Sequence, residues 1–326
     1  MKTHTRSLIA SAALVGTVAL MSGCSNESPL APSAPASTGP AEISTVGMTL
    51  QDLSNPFFAT MKASLEALGQ ENGLTVNIQD GQQDLGRQND QIDTFIQQKV
   101  DLILLNAVNT DGIGSAVQRA LDAGIIVVAV DVDAANAQAV VSTDNVEAGR
   151  IACQALADKI GGSGNVMIID GVQVSAVQER VQGCHEVLEA DYPDIAVVAE
   201  QSNKSNVASG QEVATDMLTA NQDVQGIFGN NDPTARGVVL AIEQANRSGI
   251  WVTGVDGSPE AVTEMERSGS AFWATASQDP GYMVTKGFEI AEAIAAGNPP
   301  AERVTLVTPE IVTQETVGDY AGWVTD

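Results

Sequence analysis

Leu102-Ile103-Leu104-Leu105-Asn106, a helix-like stretch over 111–123, and then Ile125-Ile126-Val127-Val128-Ala129-Val130-Asp131 set the rhythm of this chain. Each apolar run is short and unbroken rather than alternating, the pattern of a strand covered on both faces, and each ends on a polar residue. Working outward, similar runs occur at 43–49, 74–78, 166–169, 196–199, 226–228, 250–255 and 272–276. Helices are predicted between them, at 58–72, 86–98, 146–160, 176–190, 209–220, 235–246, 259–268 and 280–296. Alternation of this kind builds βαβ units, and the expected class is α/β with two doubly wound parallel sheets. A short strand at 140–142 follows the one ending at Val130 without a full helix between them. That break marks a crossover between lobes near Thr143.

At the front of the chain Lys2 and Arg6 precede an apolar run from Leu8 to Leu20, followed by Met21-Ser22-Gly23-Cys24. These features read as a secretory signal over 1–23 with a lipidation site at Cys24, where small residues admit a peptidase and the thiol takes a diacylglyceryl group. Met21 stands where leucine is usual, and an ordinary cleaved signal beside an incidental cysteine is the other reading. Either one takes the mature chain out of the cytoplasm. The run is too short to span a bilayer, and no later segment is long and apolar enough. Residues 24–41, rich in Ser, Pro, Ala and Thr, have too little apolar surface to offset their ordering entropy and read as a flexible tether.

The chain has 15 basic and 41 acidic residues. Removing 1–23 takes away Lys2 and Arg6 and no acid, so 13 bases face 41 acids, a net charge of −28. Such a surface repels nucleic acid and anionic lipid, and no nucleic-acid partner is expected. Cys153 and Cys184 fall on predicted helices. In an oxidising compartment they form a disulfide or remain two buried thiols, and sequence alone leaves both open.

In open parallel sheets ligands bind beyond the carboxyl ends of the strands, where loops converge and helix N-termini point outward. The residues at those ends are Asn55 with Phe57 and Phe58, Asn106, Asp131, Asn231 with Asp232, Asp256 and Gln278, and Arg180 follows one loop and one helical turn after 166–169. Carboxylates and amides take hydrogen bonds from vicinal hydroxyls, a guanidinium donates to hydroxyl or ring oxygens, and aromatic rings pack on the C–H face of a sugar. Each residue also has a plainer use. Asn55 can cap a helix, Asn231-Asp232 and Asp256-Gly257 can be turns, the Phe pair can be core, and Arg180 can pair with Glu179 or Glu186.

Other signals carry less. Gly161-Gly162-Ser163-Gly164 precedes a strand rather than opening a helix, so it cannot cradle a pyrophosphate and reads as a helix end. His185 is the only histidine after the signal, which excludes a multi-histidine metal site. Asp131, Asp133 and Asn136 lack the glycine and closing glutamate of a calcium loop. Neither metal nor cofactor is expected. Trp251, Trp273 and Trp323 are read as packing residues.

Asn55-Pro56-Phe57-Phe58, Leu105-Asn106, Val130-Asp131, Glu179-Arg180-Val181-Gln182-Gly183, Asn230-Asn231-Asp232, Val255-Asp256-Gly257 and Ala274-Thr275-Ala276-Ser277-Gln278 resemble, in order and spacing, the ribose-binding pattern of the periplasmic pentose and hexose binders. The likeness covers nearly everything after the tether. It implies two lobes joined by three hinge strands, with crossovers near Thr143, Gln278 and Val307. The lobes would then be 42–143 plus 279–307, and 144–278 plus 308–326. It also implies a ligand shell of Asn55, Phe57, Phe58, Asn106, Asp131, Arg180, Asn231, Asp256 and Gln278. The chain departs from the pattern twice, with Val132 where an arginine follows the aspartate and with the second-lobe aromatic replaced near Ser205. A ligand shaped differently from ribose is implied, such as another pentose, a hexose, a polyol or a related cyclic compound.

The leading expectation is a monomeric, lipid-anchored binding module that hands a small polyhydroxylated ligand to an ABC permease. A transcription regulator of the same fold needs a DNA-binding helix-turn-helix and a basic surface. An exported hydrolase needs a Gly-x-Ser-x-Gly elbow and a triad histidine, and both are absent. A ligand-sensing partner of a chemoreceptor or sensor kinase, without transport, fits the sequence equally well.

Overall fold

The computed structural model describes residues 42–323. The expected signal, Cys24 and the tether lie outside the described residues. Within them the order is β1 (Thr45–Leu50), α1 (Pro56–Asn72), β2 (Thr75–Asp80), α2 (Leu85–Gln98), β3 (Leu102–Leu105), α3 (Gly114–Asp122), β4 (Ile126–Val130) and β5 (Ala139–Thr143). The chain continues as α4 (Asn145–Lys159), β6 (Gly164–Asp170), α5 (Ser175–Asp191), β7 (Ile195–Ser202), α6 (Val207–Ala220), β8 (Gly226–Gly229), α7 (Asp232–Gln244) and β9 (Trp251–Asp256). It ends with α8 (Pro259–Glu266), β10 (Phe272–Ser277), α9 (Pro280–Ala295), β11 (Val304–Val307), β12 (Ile311–Thr313) and a 3₁₀ turn at Val317–Asp319.

Two sheets result, ordered β11-β5-β4-β3-β1-β2 and β12-β10-β9-β8-β6-β7. All pairings are parallel except that of β10 with β12. The chain passes between the sheets three times, after β5, after β10 and between β11 and β12, so the expected class of two doubly wound lobes with three crossovers holds. The two tail strands carry no signal in the sequence. They are short, partly exposed edge pieces, held by pairing with β5 and β10 rather than by their own propensity.

The inner strands of each sheet are buried on both faces, which is why they read as continuous apolar runs, whereas the edge strand β7 is largely exposed. In the first sheet Ile103, Leu105, Val127 and Ala129 face a core under α2 and α3, whereas Leu102, Leu104, Val128 and Val130 face one under α1 and α9. In the second, Met167, Ile169 and Ile227 face a core with residues of α6 and α7, and Val166, Ile168 and Phe228 face one with residues of α4 and α5. Helices α4 and α5 cross with backbones in contact, because a Cβ on Gly149 would strike the Arg180 carbonyl and one on Gly183 the Val146 carbonyl. Beside this crossing Cys153 and Cys184 are joined by a disulfide, with Cα atoms 5.1 Å apart. The crossing fixes the height of Arg180 on α5. Among the described residues no helix is long and apolar enough to cross a membrane.

Candidate functional site

The carboxyl ends of both sheets open on one cavity of about 140 Å³, a volume suited to a single small molecule. Of the residues singled out from sequence, Asn55, Phe57, Phe58, Asp131, Arg180, Asn231, Asp256 and Gln278 line it. Asn106 does not. It is fully buried behind the wall, donating from Nδ2 to Asp131 Oδ2 at 2.9 Å and accepting from Gln51 N at 3.0 Å.

On the first lobe Asn55 does both jobs open to it. Its Oδ1 accepts from Phe57 N at 3.0 Å as the cap of α1, and Pro56 supplies the preset φ of the first turn. The cap turns Phe57 and Phe58 toward the cavity, in edge-to-face contact at 5.6 Å. Trp323 joins them, 5.5 Å from Phe57, and its Nε1 donates to the Asp256 carbonyl at 2.8 Å, so it lines the cavity as well as packing. Behind this wall Gln88 of α2 donates to the Asn106 carbonyl at 2.8 Å and accepts from Val108 N at 2.9 Å. Gln91 takes the Thr49 hydroxyl and donates to the Asp80 carbonyl. Both glutamines are buried, which a polar helix sequence does not reveal.

Arg180, 4 % exposed, does not pair with Glu179 or Glu186. Its Nε donates to Asn145 Oδ1 at 2.8 Å, and Nη1 donates to the Asn230 carbonyl at 3.1 Å and lies 3.8 Å from Asp256 Oδ1. Gln278 donates to Asp256 Oδ1 at 2.8 Å and accepts from Thr143 Oγ1 at 2.8 Å. Asp232 stands just behind, accepting from Ser258 N and the Thr275 hydroxyl. Asn231 caps α7 by accepting from Thr234 N, and its amide donates to the Ser205 carbonyl. Asp131 and Asp256 both have positive φ, 70° and 145°, conformations that non-glycine residues hold only where the surrounding fold imposes them.

The two departures from the ribose pattern have local explanations. Val132 is buried in one apolar cluster with Val174 and Val177 of the other lobe. Alongside, Ser175 N donates to Thr110 Oγ1 at 3.2 Å and the Ser175 hydroxyl accepts from Asp133 N at 2.9 Å, so the lobes meet directly. Ser205 turns its hydroxyl to Asn230 Oδ1 and Val172 N and presents no bulk to the cavity.

Three buried carboxylates share one nearby guanidinium. Burial raises Asp131 to about 6 against the pull of Arg180 and Asn106. Asp232 is likewise raised by burial to about 6, against hydrogen bonds from Thr275 and Ser258. Asp256 is held well above the ordinary range, first by burial and then by the charge of Asp232, with Arg180 opposing. Among the described residues Asp131 Oδ1 and Arg180 Nη2 have no protein partner. The cavity therefore offers a vacant acceptor and a vacant donor on facing walls, with aromatic edges between. Carboxylate, guanidinium and amide groups set beside aromatic edges are the groups that pair with hydroxyls and with the C–H faces that carry them.

A family model for the periplasmic binding protein domain matches residues 46–299. The chain belongs to this family. Periplasmic binding proteins of this kind are the extracytoplasmic solute-binding components of ABC transporters and are not enzymes. This binding protein is 31 % identical over 281 residues to the ribose import binding protein of Bacillus subtilis strain 168, across 85 % of this chain and 90 % of that one. It is 28 % identical over 270 residues to the xylitol-binding protein of Mycolicibacterium smegmatis, across 82 % and 76 %. Among solved structures it is similar to a periplasmic solute-binding protein of Actinobacillus succinogenes with bound D-allose, with a TM-score of 0.79, 28 % identity, and coverage of 85 % of this chain and 100 % of that one.

Proposed function

We propose that this binding protein is an exported lipoprotein, anchored through Cys24, that captures one neutral sugar or polyol between its lobes and delivers it as a monomer to an ABC permease. The reading rests above all on one observation, that Asp131 after β4, Arg180 on α5, Asp256 at the end of β9 and Gln278 after β10 come together around a cavity of small-molecule size. Asp131 and Asp256 accept ligand hydroxyl protons from opposite walls, Arg180 and Asn231 contribute from the second lobe, and Asn55 with Phe57 and Phe58 shapes the first. Asn106 acts through Asp131. Residues 42–143 with 279–307 form one jaw and 144–278 with 308–326 the other, and a ligand held by both favours the closed arrangement. Relatives named for ribose and xylitol and a neighbour carrying D-allose support the ligand class, while Val132 and Ser205 speak against ribose itself.

A thermal-shift screen over pentoses, hexoses, linear polyols and cyclitols tests this, since a ligand at a hundred times its Kd adds about 2.7 kcal/mol of stability. The expected result is a clear rise with a small subset of the panel, and loss of that rise in Asp256→Ala. A panel without any response, or an unchanged response in Asp256→Ala, would falsify the proposal.

A further inference from the structure

Arg236, in the second turn of α7, and Glu260, in the first turn of α8, line the same cavity on its second-lobe side. Among the described residues neither side chain makes a hydrogen bond or ion pair, and Arg236 Nε and Glu260 Oε2 are buried without a partner. Among the described arginines that are not exposed, Arg236 alone has a side chain without a partner, the exposed Arg87 being the other that has none. Arg150, Arg180, Arg247, Arg267 and Arg303 each hold a carboxylate or a carbonyl. In a chain with 41 acidic residues for 15 basic ones, a cavity-lining guanidinium left unmatched is costly unless something else occupies it. The two side chains border one cavity from neighbouring helices, and no ion pair closes between them.

A group that satisfies both must accept from a guanidinium and donate to a carboxylate, which a hydroxyl does. Opposite charges at the subsite cancel, so it favours neither an acid nor an amine. An anion would also meet Asp131, Asp232 and Asp256. The cluster of Asp131, Arg180, Asp256 and Gln278 already supplies partners for the hydroxyls of one ring, and Ser205 leaves the second-lobe wall without bulk. We infer that Arg236 and Glu260 form a specificity subsite for an additional hydroxylated carbon, which makes the ligand a neutral six-carbon polyol, a hexose or a cyclitol, rather than a pentose. This rests on the sugar or polyol reading above and narrows it.

Isothermal titration of the mature protein with D-allose, D-galactose, D-glucose, myo-inositol and D-ribose separates the two levels. At least one six-carbon probe should bind about tenfold or more tighter than D-ribose. Arg236→Met and Glu260→Gln should each remove that preference, lowering six-carbon affinity about tenfold while leaving D-ribose affinity unchanged. Because neither residue has a protein partner to lose, the melting temperature without ligand should not fall in either variant. Retained preference in both variants, or equal affinity of the wild type for D-ribose and the best six-carbon probe, overturns the subsite alone. No binding of any probe by the wild type overturns the subsite, and silence across the wider panel of pentoses, hexoses, linear polyols and cyclitols overturns the sugar or polyol reading itself.

Discussion

Replacing Arg180 with methionine keeps the buried aliphatic stem and removes the guanidinium. The variant loses the bonds to Asn145 and Asn230 and the one cation within 4 Å of Asp256, leaving Asp131, Asp232 and Asp256 without their common counter-charge. Breaking a buried pair by removing one partner costs about 3 to 5 kcal/mol, because the remaining charge is stranded. A carboxylate can escape that cost by taking a proton, so the loss depends on pH. In the wild type the folded values of about 6 for Asp131 and Asp232 lie above the unfolded range. Between roughly pH 4 and pH 6 the unfolded chain therefore releases protons that the folded one keeps, and stability falls as pH rises through that window. Arg180 opposes the rise in Asp131, Asp232 and Asp256, so without it the window extends to higher pH and the fall is deeper. Urea unfolding followed by circular dichroism should show a small deficit for Arg180→Met at pH 5, growing to about 3 to 5 kcal/mol at pH 8. An equal deficit at both pH values would refute the electrostatic account and leave only lost packing and hydrogen bonds.

The same raised carboxylates should couple ligand capture to protons. Hydroxyls donate best to ionised oxygens, so affinity should fall as pH drops below about 6, where Asp131 protonates, and binding at pH 7 should release protons, seen as calorimetric enthalpies that vary with buffer ionisation heat. A pH-independent affinity between 5 and 7.5 would count against it. Cys153→Ala with Cys184→Ala opens a link spanning 31 residues and should cost about 3 to 4 kcal/mol in urea unfolding under oxidising conditions. Reductant should lower wild-type stability toward the double variant and leave the variant unmoved. Leu104→Ala, at a fully buried position in the centre of the first sheet, should cost about 2 to 5 kcal/mol, and a loss under 1 kcal/mol would mean that the core collapses around it.

Legibility in the sequence followed the physics of each element. Strands such as Leu102–Leu105 and Ile126–Val130 were readable because burial on both faces leaves no choice of residue type, and the polar residues ending them were readable because the strand stops there. Depth was not. Asn106 and Asp131 end neighbouring strands in the same way, yet only Asp131 reaches the cavity while Asn106 supports it from behind. Gln88 and Gln91 carry no signal in the sequence, since no local pattern tells a buried amide from a solvated one. Nothing in the sequence distinguishes Arg236 and Glu260 from other helix charges, and only the lack of a tertiary partner sets them apart. Trp323 was read as packing alone, because its place on the wall depends on the last crossover bringing the tail back over Asp256.

The hydrogen bonds that run from Thr143 through Gln278 to Asp256 join two of the three interlobe passages to the wall that meets the ligand. Recognition and bending thus share hardware. On the proposed reading, a change at Asp256 that alters the ligand also removes a hydrogen bond from the interlobe passages, and a change at Thr143 reaches the binding wall through Gln278. New tastes in such a scaffold are easier to acquire at positions outside that chain, on the flanks of the pocket where the hinge is not listening.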